Sequence, residues 1–329
     1  MLRTTTARVL RSTPHPRLPL IFASVPRSLT SLTRVSSTAP SSSDSPNATN
    51  TISESEIAHF SSLSAHWWDP TGEFGLLHRM NPSRIEFMND SLLDVELLPK
   101  SKWLRGKQVL DVGCGGGIFA ESIARLGATT LAIDASPSNI SVAQTHASLD
   151  PSLNLVNSQT PRPDSLTSSS SSTTTRTTTI GSLEYRHCAA EDLVREGKQF
   201  DVVCAMEVIE HVEDPRGFLD CLLKLTKPGG HLLLSTISRT PLAKLLTITL
   251  AENVLRLVTP RTHTYSKYLK PSELREYFEG EKGWKGMKQR GCLYDPFAGK
   301  WRLLGEGEYA GMGEMCNYFA GIRKPLDEK

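Results

Sequence analysis

The stretch from Lys107 to Gly127, KQVLDVGCGGGIFAESIARLG, restricts this chain more than any other. Val109, Leu110 and Val112 make a short apolar strand, and glycines at 113, 115, 116 and 117 follow at once. Residues without a Cβ let the main chain turn sharply and let a ligand or a neighbouring side chain come close. The helix that follows, closed by Gly127, presents free N–H groups to whatever sits on that turn. TTLAID at 129–134 predicts a second strand, and Ser136 with Pro137 opens a second helix as cap and first-turn residue. A strand–helix–strand–helix order requires a parallel sheet with helices on its faces, so the predicted class is α/β, doubly wound.

The alternation resumes downstream. LEYRHC at 183–188 and FDVVCAM at 200–206 read as strands, PRGFLDCLLKLT as a helix, and GGHLLLST as a strand after the Pro228-Gly229-Gly230 turn. A helix over 270–278 and two late strands near 285–293 and 314–322 complete the pattern. Upstream, a helical region from about Ser53 to about Lys100 carries Ile57, Phe60, Leu63, Trp67 and Trp68. Between the second helix and LEYRHC, residues 150–182 are rich in Ser, Thr and Pro and include SSSSSTTTRTTT. Such a segment buries too little apolar surface to offset its ordering entropy, so it reads as a disordered insertion within one domain spanning 53–326.

Composition matters at the ends of the argument. The first 43 residues hold six arginines (Arg3, Arg8, Arg11, Arg17, Arg27, Arg34), many Ser and Thr, and no acid before Asp44, the composition of a mitochondrial transit peptide. Six cysteines without a C-x-x-C pair read as reduced thiols. A net charge of +2 with no basic run gives no case for a nucleic-acid partner. The apolar stretch Leu242 to Val258 is broken by Lys244, Glu252, Asn253 and Arg256, which is too polar for a membrane span. In α-helical projection it shows an apolar arc, including Leu246, Ile248, Leu250 and Val254, with Glu252 on the opposite side. That face suits either docking on a lipid surface or packing as a lid on the sheet.

The glycine turn needs an occupant. Asp134 ends the second strand, where an acid can accept both hydroxyls of a ribose. A dinucleotide is one candidate, and the frame Gly115, Gly117, Ala120 satisfies its G-x-G-x-x-A pattern. Asp111 points elsewhere: a carboxylate at the end of the first strand suits an ammonium group and would repel a pyrophosphate.

At these residues the chain resembles the seven-stranded methyltransferases. In them the glycine turn holds the amino-acid end of S-adenosylmethionine and the acid after the second strand holds its ribose. The likeness implies a Rossmann-like, seven-stranded, mainly parallel sheet with an N-terminal helical cap. It also implies cofactor contacts at Gly113, Asp134 and Met206, with AAEDL at 189–193 on the adenine side. HWWDPTGEFGLLHRMNPSRIEFM at 66–88, AMEVIEHVEDP at 205–215, LKPSEL at 269–274, LYDPFAGKW at 293–301 and NYF at 317–319 resemble the ubiquinone biosynthesis O-methyltransferases more narrowly. That likeness adds Arg84 to the cofactor contacts. It implies methyl transfer to a ring hydroxyl of a polyprenylated dihydroxybenzoate or demethylubiquinol, on the matrix face of the mitochondrial inner membrane, beside other subunits of a quinone-synthesis complex. Arg261 and Thr264 stand where the family usually shows glycine and an acid, which leaves that loop without an assigned role.

One constellation remains. If the chain turns helical after FDVVCAM, Glu207, Glu210 and His211 share a face through i, i+3 and i+4 spacing, an oxygen-rich set for a hard cation such as Mg²⁺. The family likeness points to the same three as metal ligands. The alternative keeps His211 as the catalytic base without metal, with Glu210 orienting it. Two rival functions stand beside the methyltransferase: an NAD-dependent oxidoreductase and a non-catalytic subunit of a quinone-synthesis complex.

Overall fold

The computed structural model describes residues 51–92, 102–156, 181–305 and 315–326. The arginine-rich stretch read as a transit peptide, and most of the Ser/Thr-rich insertion, lie outside these residues. Eight strands form one sheet in the order β3-β2-β1-β4-β5-β8-β6-β7. Strands β1 (Gln108–Val112), β2 (Thr129–Asp134), β3 (Ser182–His187), β4 (Phe200–Met206) and β5 (Thr226–Ile237) run parallel. The remaining strands, β6 (Lys288–Asp295), β7 (Lys300–Leu303) and β8 (Asn317–Arg323), add three antiparallel pairings. The seven-stranded expectation is therefore one strand short. LYDPFAGKW is a hairpin whose second arm, β7, pairs Leu303 through Lys300 with Cys292 through Asp295.

Local chemistry sets the helix ends. Helix α1 covers Glu54–Ser62, α2 Gly75–Leu92, α3 Ile118–Arg125 and α4 Pro137–Ser148. Ser136 Oγ accepts from Asn139 N at 3.2 Å and Pro137 fills the first turn of α4, as the sequence predicts. Gly127 ends α3 at φ +102, a conformation other residues reach only with strain. Helices α5 (Ala190–Arg195) and α6 (Pro215–Leu225) follow, the latter capped by Asp214. Residues Leu153 and Leu155 pack with α4 and β3, so the folded chain continues past Asp150 to Val156, within the stretch assigned to the insertion.

Both faces of β4 are covered. Val202, Cys204 and Met206 meet Phe87, Phe119 and Ile123 from α2 and α3, while Val203 and Ala205 meet Phe218 and Leu222 from α6. A fully buried Leu or Val of this kind contributes about 1.5–3 kcal/mol. This doubly covered centre holds the carboxyl ends of β1, β2 and β4 rigid beside one another, where open α/β sheets bind ligands.

The segment after β5 departs from expectation. Helix α7, Pro241–Ala243, passes into a π-helix over Lys244–Val254, so the 3.6-residue projection does not describe it. Glu252, expected on the outer face, is turned inward: its carboxylate accepts from the backbone N–H of Arg261 and His263 at 2.9 Å each. Leu246 and Ile248 pack on Ile237 and Tyr268, while Leu245, Val254, Leu255 and Leu257 remain exposed. Among the described residues no helix is long and apolar enough to cross a membrane.

Candidate active site

A pocket with roughly 830 Å³ of space, part of it continuous with solvent, opens over the carboxyl edge between β1, β2 and β4. That volume falls within the range of small-molecule sites. Gly113, Asp134, Glu207 and His211 all line it. The structure thus brings four of the named residues, from three separate segments, to one cavity, and leaves Arg84, Met206 and Glu210 off its lining.

The glycine turn is crowded by protein as much as shaped for a ligand. Gly113 stands at φ +71, and a Cβ there would lie 2.6 Å from Val208 Cγ2. The indole of Trp67 lies against Gly115 and Gly116, where added Cβ atoms would meet it at 2.3 and 2.5 Å. Tyr185 OH occupies the space beside Gly117. The glycines that satisfy the dinucleotide frame are thus explained by Trp67 and Tyr185. Trp67 stacks on Phe74 with centroids 3.7 Å apart and donates Nε1–H to Asn139 Oδ1 at 2.9 Å.

Asp134 is held on both oxygens. Oδ2 accepts from Gly115 N at 2.8 Å, and Oδ1 accepts from Ser136 N at 2.8 Å and Asn139 Nδ2 at 3.2 Å. Burial raises its pKa above the ordinary value against the pull of these donors. A carboxylate has about four acceptor positions, so one remains for a ribose unless the long Asn139 bond yields.

The opposite end is built differently. Arg84, on α2, is buried with Nε unpartnered, and its charge faces Glu207, Asp111 and Glu210 from behind the lining. Asp111 keeps Oδ2 without a partner, and burial pushes its carboxyl up to about 7 despite Arg84. Glu207 and Glu210 each leave Oε1 buried and unpartnered. Burial, and then the neighbouring Glu207, push Glu210 up to about 8. Met206 does not face the pocket: the alternation along β4 sends it to the α2 side, into the cluster of Met80, Phe87 and Phe319.

The shared helical face expected for Glu207, Glu210 and His211 does not form. Glu207 has φ +59, and its N–H is held by the Ser235 carbonyl and hydroxyl at 3.0 Å each. Only Ile209–His211 makes a turn, of 3₁₀ type. The left-handed residue redirects the chain, so the three side chains part. Glu207 Oε2 accepts from Asn317 Nδ2 at 3.3 Å, Glu210 Oε2 from Thr236 Oγ1 at 2.8 Å, and His211 Nδ1 meets Glu56 Oε2 at 3.0 Å. Among the described residues no three His, Cys, Asp or Glu side chains form a cluster ready to hold a metal. The carboxylate in contact with His211 is that of Glu56, and Glu210 is bonded to Thr236 instead. Burial lowers the His211 pKa, opposed by the Glu56 bond and charge.

Sequence reasoning missed Glu56, Val208 and the Thr51–Ser53 strap. Glu191 Oε1 accepts from Thr51 N at 3.1 Å and Thr51 Oγ1 at 2.6 Å, closing that strap over AAEDL. The i, i+4 spacing of Glu56 and Phe60 was visible, but their partner lies 155 residues away from Glu56.

A mainly parallel sheet with a glycine turn after its first strand, an acid after its second and a histidine across the pocket is an arrangement that suits a methyltransferase. The family model described as "Methyltransferase domain" matches residues 83–288. A solved S-adenosylmethionine-dependent methyltransferase from Thermotoga maritima shares the fold, with TM-score 0.50 and 14% identity over 82% of this chain and 99% of that one. Among curated proteins, the mitochondrial ubiquinone biosynthesis O-methyltransferase of Schizosaccharomyces pombe is 44% identical, covering 84% of this chain and 88% of its own. A ubiquinone biosynthesis O-methyltransferase from Sinorhizobium fredii is 36% identical, covering 85% and 98%. The chain belongs to the ubiquinone biosynthesis O-methyltransferases, enzymes dependent on S-adenosylmethionine.

Proposed function

We propose that this enzyme methylates a ring hydroxyl of a polyprenylated dihydroxybenzoate or demethylubiquinol, in the mitochondrion. The observation that carries the reading is one pocket holding Gly113 and Asp134 on one wall and His211 on another. Bound S-adenosylmethionine supplies an electrophilic methyl group. A phenol has an ordinary pKa near 10, so the chain must take its proton as the oxygen attacks, and His211 is the pocket group whose depressed pKa keeps it neutral and able to accept. Phe60, Trp67 and Val208 supply apolar walls that exclude water and keep the ring oxygen in line with the transferred group.

A divalent cation at Glu207, Glu210 and His211 is the finer part of this proposal. Two buried carboxylates, each with an unpartnered oxygen, support it: if their side chains turned together, a cation such as Mg²⁺ would satisfy both and lower the phenol pKa. His211 would join only through Nε2, because Nδ1 is committed to Glu56, and an Nε2 so engaged could not also take the phenolic proton, so the cation and the free base are alternative readings of this residue. Peripheral docking on the inner membrane, on its matrix face and among subunits of a quinone-synthesis complex, is supported by the exposed Leu245, Val254, Leu255 and Leu257 and by a substrate that resides in the bilayer.

The test is incubation of the pure protein with S-adenosylmethionine and a short-chain dihydroxybenzoate, followed by mass analysis for one added methyl group. No product sinks the activity. Full turnover after EDTA removes the cation and leaves His211 as the base. Liposome flotation unaffected by Leu250→Glu together with Val254→Glu removes the docking surface.

A further inference from the structure

We infer that α1 is the positioning element of the active site, with Glu56 setting the tautomer of His211 and Phe60 fixing its ring. The inference rests on the reading of His211 as base. A carboxylate only accepts, so the 3.0 Å contact between Glu56 Oε2 and His211 Nδ1 puts the ring hydrogen on Nδ1. In the neutral ring this leaves Nε2 bare, and Nε2 is the nitrogen able to take a phenolic proton. Without that contact neither nitrogen is designated.

The ring needs such support. His211 stands at the end of a single 3₁₀ turn, held there by its N–H to the Val208 carbonyl at 2.9 Å. One helical turn beyond Glu56, Phe60 meets the imidazole edge-to-face, with centroids 5.0 Å apart and planes at 89°. The second oxygen of Glu56 receives Lys267 Nζ at 3.3 Å, which discourages rotation of the carboxylate away from the ring. On its other side His211 faces the ring of His263 at 5.9 Å. His263 is itself anchored, its Nδ1 tied to Glu252 Oε1 at 2.7 Å.

Helix α1 is itself held from both sides of the pocket. It has no fully buried residue and no side-chain cap. Thr51, just before it, bonds to Glu191, and its carbonyl accepts from Glu213 N at 2.9 Å. The strap therefore ties the positioning helix to the segment leading into α6 and to α5.

The experiment combines ¹⁵N imidazole NMR with kinetics on the full chain. In the native enzyme, at a pH where the ring is neutral, the His211 resonance, assigned by its loss in His211→Ala, should show hydrogen on Nδ1. Hydrogen on Nε2 overturns the inference without recourse to any variant of Glu56. Glu56→Ala should lower kcat by on the order of 10- to 100-fold while acceptor KM and cofactor affinity stay put, and should scramble the tautomer. Glu56→Gln keeps an oxygen acceptor for Nδ1–H and should restore most turnover. An unchanged kcat and tautomer in Glu56→Ala, or a Glu56→Gln as impaired as Glu56→Ala, refutes the positioning role. Full turnover in His211→Ala is a different failure, that of the base itself.

Discussion

The two ends of the pocket solve opposite problems. At one end Asp134 accepts three hydrogen bonds from the protein, so the ribose-side carboxylate is locked before any ligand arrives. At the other, Glu207 on the lining and Asp111 and Glu210 behind it each keep a buried oxygen without a partner, and Arg84, also behind the lining, keeps a buried Nε–H. Unsatisfied buried polar atoms are rare and expensive, so four of them gathered around one pair of strands make this end the costlier one to fold. The first end is scaffold that also binds, and the second is site that weakens the scaffold. Substitutions should therefore differ in sign and in pH dependence between them.

The largest effect should come from Gly113→Val. The structure directs the added bulk onto Val208, at a φ that L-residues adopt at a cost of roughly 1–2 kcal/mol. Cofactor binding should vanish by calorimetry, and Tm should fall as well. A variant with native Tm and native affinity would show that the turn can reshape itself, and would break the picture of a rigid cofactor end.

Asp134→Ala comes next. It removes the ribose acceptor and strands the N–H groups of Gly115 and Ser136 and the amide of Asn139. A lost charged acceptor costs about 1.5–3 kcal/mol, and stranded donors add to it. Denaturant unfolding should therefore show a loss of stability beside the loss of binding. Unaltered stability would mean that water replaces the carboxylate easily and that this end is less locked than its bonds indicate.

The two ends also differed in legibility. Strands β1 and β2, with α3 and α4, fall where the pattern placed them, because glycines, Ser136 and Pro137 act within a few residues of themselves. Met206 went astray because the family likeness outweighed the period-2 rule, which puts it on the face of Val202 and Cys204. Glu207 defeated the helical spacing because nothing in its own residue type announces a positive φ; that conformation is held by Ser235 on β5. The π-helix after Ala243 turned Glu252 inward to bind a loop reached only after Arg256. These contacts are tertiary, and a one-dimensional pattern cannot rank them.

The smallest and most discriminating effect is the pH dependence of Asp111→Asn. Burial holds the Asp111 carboxyl near 7 in the folded enzyme, against an ordinary value of 3.8 in the unfolded chain. The folded state then binds the proton more tightly. The contribution of this group to stability is full below about pH 4 and is lost as pH rises toward 7. His211, whose pKa is lowered on folding, acts in the opposite direction, so wild type alone would show a blurred slope. Comparison with the variant cancels His211 and leaves Asp111. Stability measured in urea without cofactor should therefore turn progressively in favour of Asn between pH 4.5 and 7.5, by an amount on the order of 1 kcal/mol per pKa unit at most. Saturating S-adenosylmethionine should close that gap if its ammonium group neutralises Asp111. A gap independent of pH would mean that Arg84 already compensates the carboxylate fully, and the contrast between the two ends would then rest on Glu207 and Glu210 alone.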